Sequence, residues 1–227
     1  MIKRIINIIK RGKIKKPNRH AMLLLFEGLC KGLKKKVNDK LMILKKDSTF
    51  SIDEDLYMCS LFPEKVLELV CRELKPSSVL DVGCGTGLSL NFFLEKGIAA
   101  TGLENSNKAI NISSVKIHII KHNLNNIYLT EKHYDLIWCF EVIEHIHPKY
   151  EHNFLQTLIH HSDNILLSAA RPGQGGSGHF NEQEPDYWVR KFSKLGYEND
   201  VELTVKFRST GEPFTGNILY FKKASSD

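Results

Sequence analysis

The sequence predicts an α/β fold in which helices cover a doubly wound, mostly parallel sheet of seven strands. Two observations carry this prediction: short apolar runs alternate with segments of helical periodicity, and a glycine-rich turn follows the first clear apolar run. Nearly continuous apolar strands that alternate with helices are typical of a parallel sheet with both faces buried. A chain of 227 residues has room for one such domain and a terminal extension.

The helices and strands follow from periodicity and from turn signals. A helix is predicted after Pro63 because Val66, Leu67, Val70 and Leu74 recur at helical spacing before the stop at 75–78. Further helices are predicted over 88–96, 108–113, 150–160 and 185–195. Strands are predicted over 78–82, 98–103, 115–120, 134–140, 164–169, 201–208 and 217–222. The last two strands flank a loop with glycine and proline and are expected to form an antiparallel pair.

The charge divides the chain into two parts. Residues 1–46 hold 15 Lys and Arg against two acids, a net +13, whereas residues 47–227 hold 17 against 24, a net −7. We therefore predict a basic, helical N-terminal arm over 1–46 and a main folded domain over 47–227. The arm is expected to meet an anionic membrane surface or RNA, or else to pack on its own domain.

Cellular location and assembly are less constrained by the sequence. The five cysteines are scattered and show no zinc-ligand spacing, and no apolar run is long enough for a transmembrane helix. We expect a reduced, cytoplasmic protein that can associate peripherally with a membrane. The oligomeric state stays open.

A ligand-binding turn is predicted where the first strand meets a helix. The sequence VLDVGCGTG over 79–87 places Gly83, Gly85 and Gly87 at that junction, where glycines allow a sharp bend and close approach of a ligand. The spacing departs from G-x-G-x-x-G because Leu88 holds the place of the third glycine. Glu104 ends the second strand, where a carboxylate can bind ribose hydroxyls. Asp81 is expected to accept hydrogen bonds from the turn or to contact the ligand.

These motifs resemble those of class I S-adenosylmethionine (SAM)-dependent methyltransferases, which have a Rossmann-like sheet. The resemblance covers roughly residues 61–222 and implies that SAM is the cofactor. It further implies that Asn123 and Leu124 hold the adenine, although the family usually has Asp-Leu there, and that Phe140 and Glu141 face the sulfonium. The cofactor-binding set implied in this way is Asp81, Gly83, Cys84, Gly85, Gly87, Glu104, Asn105, Asn123, Leu124, Phe140 and Glu141.

The second half of the chain is similar to a bacterial subgroup of these enzymes. The matching stretches read EVIEHIHPKY from Glu141, LLSAARPGQGG from Leu166 and GHFNEQEPDYW from Gly178. This similarity defines the subgroup but not the methyl acceptor.

Three residues are predicted to act in methyl transfer: Glu141, His145 and His179. Glu141 and His145 are expected on one face at the start of a helix, and His179 lies in a glycine-rich loop that we expect to close over the acceptor. The alternatives are that His145 packs its helix and that His179 only holds the loop shut.

We predict no metal site. However, small-RNA 2′-O-methyltransferases bind a metal with a similar E-V-I-E-H stretch and a later histidine, so Glu141, Glu144, His145 and His179 form an alternative ligand set; ubiquinone-pathway O-methyltransferases show similar runs.

The remaining histidines and aromatic residues receive weaker assignments. His147, His160 and His161 are expected at the surface. Tyr187 and Trp188 line the acceptor pocket or belong to the core.

The first functional interpretation is O-methylation of a small molecule or a glycan. One alternative is an RNA 2′-O-methyltransferase that uses the basic arm, although the acidic main domain argues against it. The other is a non-catalytic SAM-binding module, which the intact cofactor motif argues against.

Overall fold

The structure is a computed structural model that describes residues 62–225. Its seven strands form one sheet in the order β3-β2-β1-β4-β5-β7-β6. Strands β1 to β5 run parallel, and β7 pairs antiparallel with both β5 and β6. The strands are β1 (Ser78–Val82), β2 (Ala99–Glu104), β3 (Ile119–Lys121), β4 (Leu136–Phe140), β5 (Asn164–Ser168), β6 (Tyr197–Asn199) and β7 (Ile218–Lys223). This topology confirms the predicted doubly wound sheet with an antiparallel C-terminal pair.

Six α-helices lie before and between the strands within the described residues. They are α1 (Glu64–Leu74), α2 (Leu88–Glu95), α3 (Asn107–Ile112), α4 (Glu151–His161), α5 (Pro185–Ser193) and α6 (Val201–Arg208). The strand order reverses between β1 and β4, so their carboxyl ends border a crevice of the kind in which ligands bind in open α/β sheets. Within residues 62–225 no helix is long and apolar enough to cross a membrane.

The core lies on both faces of the sheet, as the apolar strands predict. Successive residues of β4 alternate between two clusters: Ile137 and Cys139 belong to one, and Leu136 and Trp138 belong to the other. All four are at most 1% exposed. Burial on both faces fixes the register of the central strand and so fixes the position of the residues that follow it.

The prediction of a strand over 201–208 is wrong, because this segment forms helix α6. The sequence VELTVKFR alternates apolar and polar residues, which is typical of a strand. However, the carboxylate of Asp200 accepts a hydrogen bond from the backbone of Leu203 at 2.9 Å and caps a helix. The helix buries Thr204 and Phe207 and leaves Val205 exposed. The edge strand is instead β6, which lies before the helix.

One smaller difference concerns the third strand. The third strand is shorter than predicted because Lys116–His118 forms a 3₁₀ turn before β3. The predicted basic arm, 1–46, lies outside the described residues.

Candidate active site

The glycine turn after β1 is shaped by sterics as well as by backbone conformation. Gly83 has φ +77°, and a Cβ added there would lie 2.6 Å from Cγ2 of Val142. The amide groups of Gly83 and Cys84 both donate to the carbonyl of Leu103, at 2.9 and 3.1 Å. The turn therefore packs between the ends of β2 and β4, and only glycine fits at position 83.

Glu104 at the end of β2 holds the turn in place. One carboxylate oxygen accepts from the backbone of Gly85 at 3.0 Å, and the other accepts from the backbones of Asn105 and Ser106 at 2.8 and 2.7 Å. Burial raises the pKa of Glu104, and these three hydrogen bonds oppose the rise. Glu104 thus lies beside the glycine turn at the crevice, where a carboxylate that binds ribose hydroxyls is expected.

Asp81 lies in β1 below the turn and is 3% exposed. Burial and the charge of Glu104 raise its pKa to about 8, and a hydrogen bond from the backbone of Leu90 opposes the rise. Its Oδ2 has no hydrogen-bond partner among the described residues. A buried carboxyl oxygen without a partner is costly, and the α-ammonium of the methionine part of SAM is a group that would satisfy it. The site therefore fits the cofactor.

The predicted adenine and sulfonium residues lie along the same edge of the sheet. Oδ1 of Asn123 accepts from the backbone of Asn125 at 3.0 Å, and Leu124 packs on the core. The ring of Phe140 stacks on Trp138 with centroids 5.5 Å apart. Glu141 follows directly at the end of β4.

Glu141 does not share a helix with His145, so that prediction is wrong. Glu141 has φ +54°, an uncommon conformation for a non-glycine residue. The chain then forms a single 3₁₀ turn over Ile143–His145. The side chains of Val142 and Ile143 are buried in the core, and their packing holds this segment in place of a longer helix.

Three residues far apart in sequence hold the carboxylate of Glu141. It accepts hydrogen bonds from the hydroxyl of Ser168, from the amide of Asn217 at 3.1 Å and from the amide of Gln174 at 3.4 Å. Burial raises the pKa of Glu141, and these hydrogen bonds oppose the rise. No local pattern in the sequence indicates Asn217, because its contact with Glu141 exists only after β7 joins β5.

His145 and His179 meet beside this carboxylate. Their ring centroids are 4.8 Å apart, and the rings are nearly perpendicular at 81°. Nδ1 of His145 lies 3.1 Å from the carbonyl of Gly178, and a carbonyl only accepts, so this nitrogen carries the proton. Burial and then the charge of His179 lower the pKa of His145 to about 4, so it is neutral near pH 7.

Glu144 completes a compact group with the two histidines. It is fully buried, and neither of its oxygens has a hydrogen-bond partner of normal geometry among residues 62–225. Burial and the negative charge of Glu141 raise its pKa to about 8. One potential ligand atom each from Glu144, His145 and His179 lies within 4.8 Å of the others, whereas Glu141 is not part of this group.

Other assignments from the sequence are corrected or refined. His161 is buried and not at the surface: its Nδ1 lies 2.8 Å from the carbonyl of Thr157, and its ring stacks on Tyr128. Trp188 is 1% exposed within the core, and the hydroxyl of Tyr187 donates to Glu151 at 2.8 Å. This aromatic pair therefore belongs to the packing.

The fold and the crevice are those of class I SAM-dependent methyltransferases. A family of proteins described as "Methyltransferase domain" matches residues 55–169, and the chain belongs to it. The class predicted from the sequence, with SAM as cofactor, is thereby confirmed. The narrower bacterial subgroup stays a prediction.

Individual relatives match only parts of the chain. A ubiquinone biosynthesis O-methyltransferase of Nitrosomonas europaea is 30% identical over an alignment 83 residues long, which covers 32% of this chain and 34% of that protein. The matched part thus spans about a third of the length of such relatives.

Two solved structures share the fold at low sequence identity. The methyltransferase domain of bacterial CtHen1-C superposes with TM-score 0.54 and 18% identity, covering 72% of this chain and 97% of that one. The plantazolicin methyltransferase BpumL, in complex with a pentazolic desmethylPZN analog and S-adenosylhomocysteine (SAH), superposes with TM-score 0.52 and 16% identity. The match covers 72% of this chain and 83% of that one.

Proposed function

We propose that this protein transfers the methyl group of SAM to a hydroxyl oxygen of a small molecule or a glycan, with His179 as the general base. The single observation that carries the proposal is the pair of imidazoles beside Glu141 at the carboxyl edge of the sheet. The carboxylate of Glu182 fixes the proton of His179 on Nδ1, as a hydrogen bond of 2.8 Å indicates, which leaves Nε2 as the basic nitrogen.

SAM, held by the crevice, would supply an electrophilic methyl carbon to the acceptor oxygen and would keep the electron pair of the broken C–S bond on sulfur as the C–O bond forms. Residues of this chain accept the hydroxyl proton and stabilise the positive charge of the sulfonium. Nε2 of His179 takes the proton that the hydroxyl loses. His145, whose pKa is lowered to about 4, orients the acceptor. Glu141 offers negative charge to the sulfonium, and the glycine turn with Glu104 and Asp81 holds the rest of the cofactor.

A small acceptor is favoured over RNA by two facts. Residues 47–227 carry a net −7, which opposes a polyanion, and the matched relatives that are named for an acceptor atom are O-methyltransferases. The RNA hypothesis rests on the basic arm and on the fold that is shared with the small RNA methyltransferase HEN1, at TM-score 0.54 and 16% identity.

The second hypothesis is that the histidine pair helps to bind a divalent cation. Glu144, His145 and His179 would hold it, because imidazoles and a buried carboxylate suit such an ion. The ion would polarise the acceptor oxygen. Calorimetric titration of the full chain with Mg²⁺, Mn²⁺ and Zn²⁺, with Glu144→Gln as the comparison, separates this hypothesis from a metal-free base.

The proposed function is tested by incubating the full chain and SAM with a panel of phenols, sugars and small RNAs and measuring SAH formation. Methylated phenol or sugar supports the proposal. Methylation of RNA alone contradicts it, and SAH binding without turnover on any class favours the non-catalytic module.

Cofactor affinity is predicted to increase with pH between about pH 6 and pH 8, by up to tenfold per pH unit. The raised pKa of Asp81, about 8, means that the free protein holds a proton there at neutral pH, and an ammonium beside the carboxylate releases it. Calorimetry with SAH at several pH values measures the slope. The variant Asp81→Asn removes the titrating group, so a slope that persists unchanged in it would contradict this assignment.

A further inference from the structure

The carboxylate of Glu182 accepts three hydrogen bonds from one short loop. Oε2 accepts from the backbone of Gly173 at 2.9 Å, and Oε1 accepts from the backbone of Gly175 at 2.7 Å and from Nδ1 of His179 at 2.8 Å. We call residues 173–179 the latch loop. Side-chain exposure is only 18% for Glu182 and 13% for His179, so these bonds are largely shielded from water and are charge-assisted.

Gly176 contacts the same imidazole near Nε2, the ring nitrogen that is not bonded to Glu182. A Cβ added at Gly176 would lie 2.3 Å from Nε2 of His179 and 2.6 Å from each of its ring neighbours, Cδ2 and Cε1. Nearly equal distances to these three atoms mean that Gly176 lies over the face of the ring. The lone pair of Nε2 lies in the plane of the ring, so Gly176 does not block it.

The loop also reaches the other histidine. The carbonyl of Gly178 accepts from Nδ1 of His145, so one loop orients both imidazoles. Glu182 stays ionised while it accepts these bonds. Burial raises its pKa, but the bonds from His179, Gly173 and Gly175 outweigh burial, and the pKa is lowered overall.

From this geometry we infer that Glu182 is a positioning residue: it places the proton of His179 on Nδ1, directs Nε2 toward the acceptor side and holds the latch loop folded over the imidazole. The inference deepens the proposed function and rests on it for the role of Nε2. An imidazole without a partner has two neutral tautomers of similar energy, so a fixed carboxylate selects one of them. Glu182 does not touch the reacting atoms.

The first test uses Glu182→Gln in the full-length, ¹⁵N-labelled protein. NMR of the imidazole nitrogens, at a pH where His179 is neutral, reports the tautomer, and hydrogen exchange reports the amides of Gly173 and Gly175. We expect the wild type to hold the Nδ1-protonated form. In Glu182→Gln we expect a mixture of tautomers and exchange at both amides faster by at least about tenfold, the factor for one lost charge-assisted hydrogen bond. The matched control is Glu184→Gln, which changes an acid two residues away that makes none of these bonds.

A second variant covers the case in which Glu182→Gln does not fold. Gly176→Ala leaves the carboxylate intact and pushes the ring of His179 aside, and the φ of Gly176 lies outside the left-handed region, so alanine adds no backbone strain. Gly216→Ala is its control, because a Cβ there meets nothing within 4 Å. We expect Gly176→Ala to change the His179 resonances and to lower kcat by about tenfold or more with little change in KM.

The outcomes separate the inference from the proposed function. Wild-type tautomer and amide exchange in Glu182→Gln, or unchanged His179 resonances in Gly176→Ala, would overturn the inference even if the enzyme methylates a hydroxyl. If Glu182→Gln changes the tautomer and the amide exchange but the wild type methylates no hydroxyl, Glu182 keeps its positioning role. In that case the proposal that His179 is a general base is rejected.

Discussion

Replacing His179 by alanine is expected to lower turnover by about 10²- to 10⁴-fold, the usual contribution of a positioned general base. The change removes the nitrogen that takes the hydroxyl proton but none of the residues around the glycine turn. SAH affinity should therefore stay close to that of the wild type. Turnover is measured with the acceptor identified from the panel, and SAH affinity by calorimetry.

The matched control for His179 is His118→Ala, which removes an exposed imidazole from the 3₁₀ turn before β3. It should leave turnover unchanged. If His179→Ala keeps turnover within a few-fold of the wild type, His179 is not the base and only holds the latch loop. If a chelator abolishes wild-type turnover and a divalent cation restores it, His179 acts as a ligand instead.

The features that the sequence predicts well are local. The glycine turn and Glu104 belong to one strand-turn-helix-strand unit, and the turn and the strand end lie where the sequence predicts them. The alternation of apolar runs likewise predicts the parallel strands, because both faces of those strands must be buried.

The parts that the sequence does not predict depend on long-range packing. The segment 201–208 alternates like a strand, yet the cap at Asp200 and burial of Phe207 select a helix. The helical spacing of Glu141 and His145 carries no information here, because Glu141 adopts a positive φ before a short 3₁₀ turn. Glu182 lies in a recognisable motif, but its role depends on how the latch loop folds.

Substitution of Glu104 by alanine is expected to weaken SAH binding by one to two orders of magnitude. Each charge-assisted hydrogen bond from a ribose hydroxyl to a carboxylate contributes about 1.5 to 3 kcal/mol. The structure adds a second reason, because the variant also leaves the backbone donors of Gly85, Asn105 and Ser106 without their acceptor. The glycine turn should then be less well ordered in the absence of cofactor.

Calorimetric titration with SAH measures this loss of affinity, and Glu131→Ala, which removes an exposed acid, is the control. Thermal unfolding of the free proteins separates the two contributions. A lower Tm with reduced affinity fits a carboxylate that both braces the turn and binds ribose. A lower Tm with wild-type affinity would mean that Glu104 only braces the turn, and the ribose would then need another ligand at the end of β2.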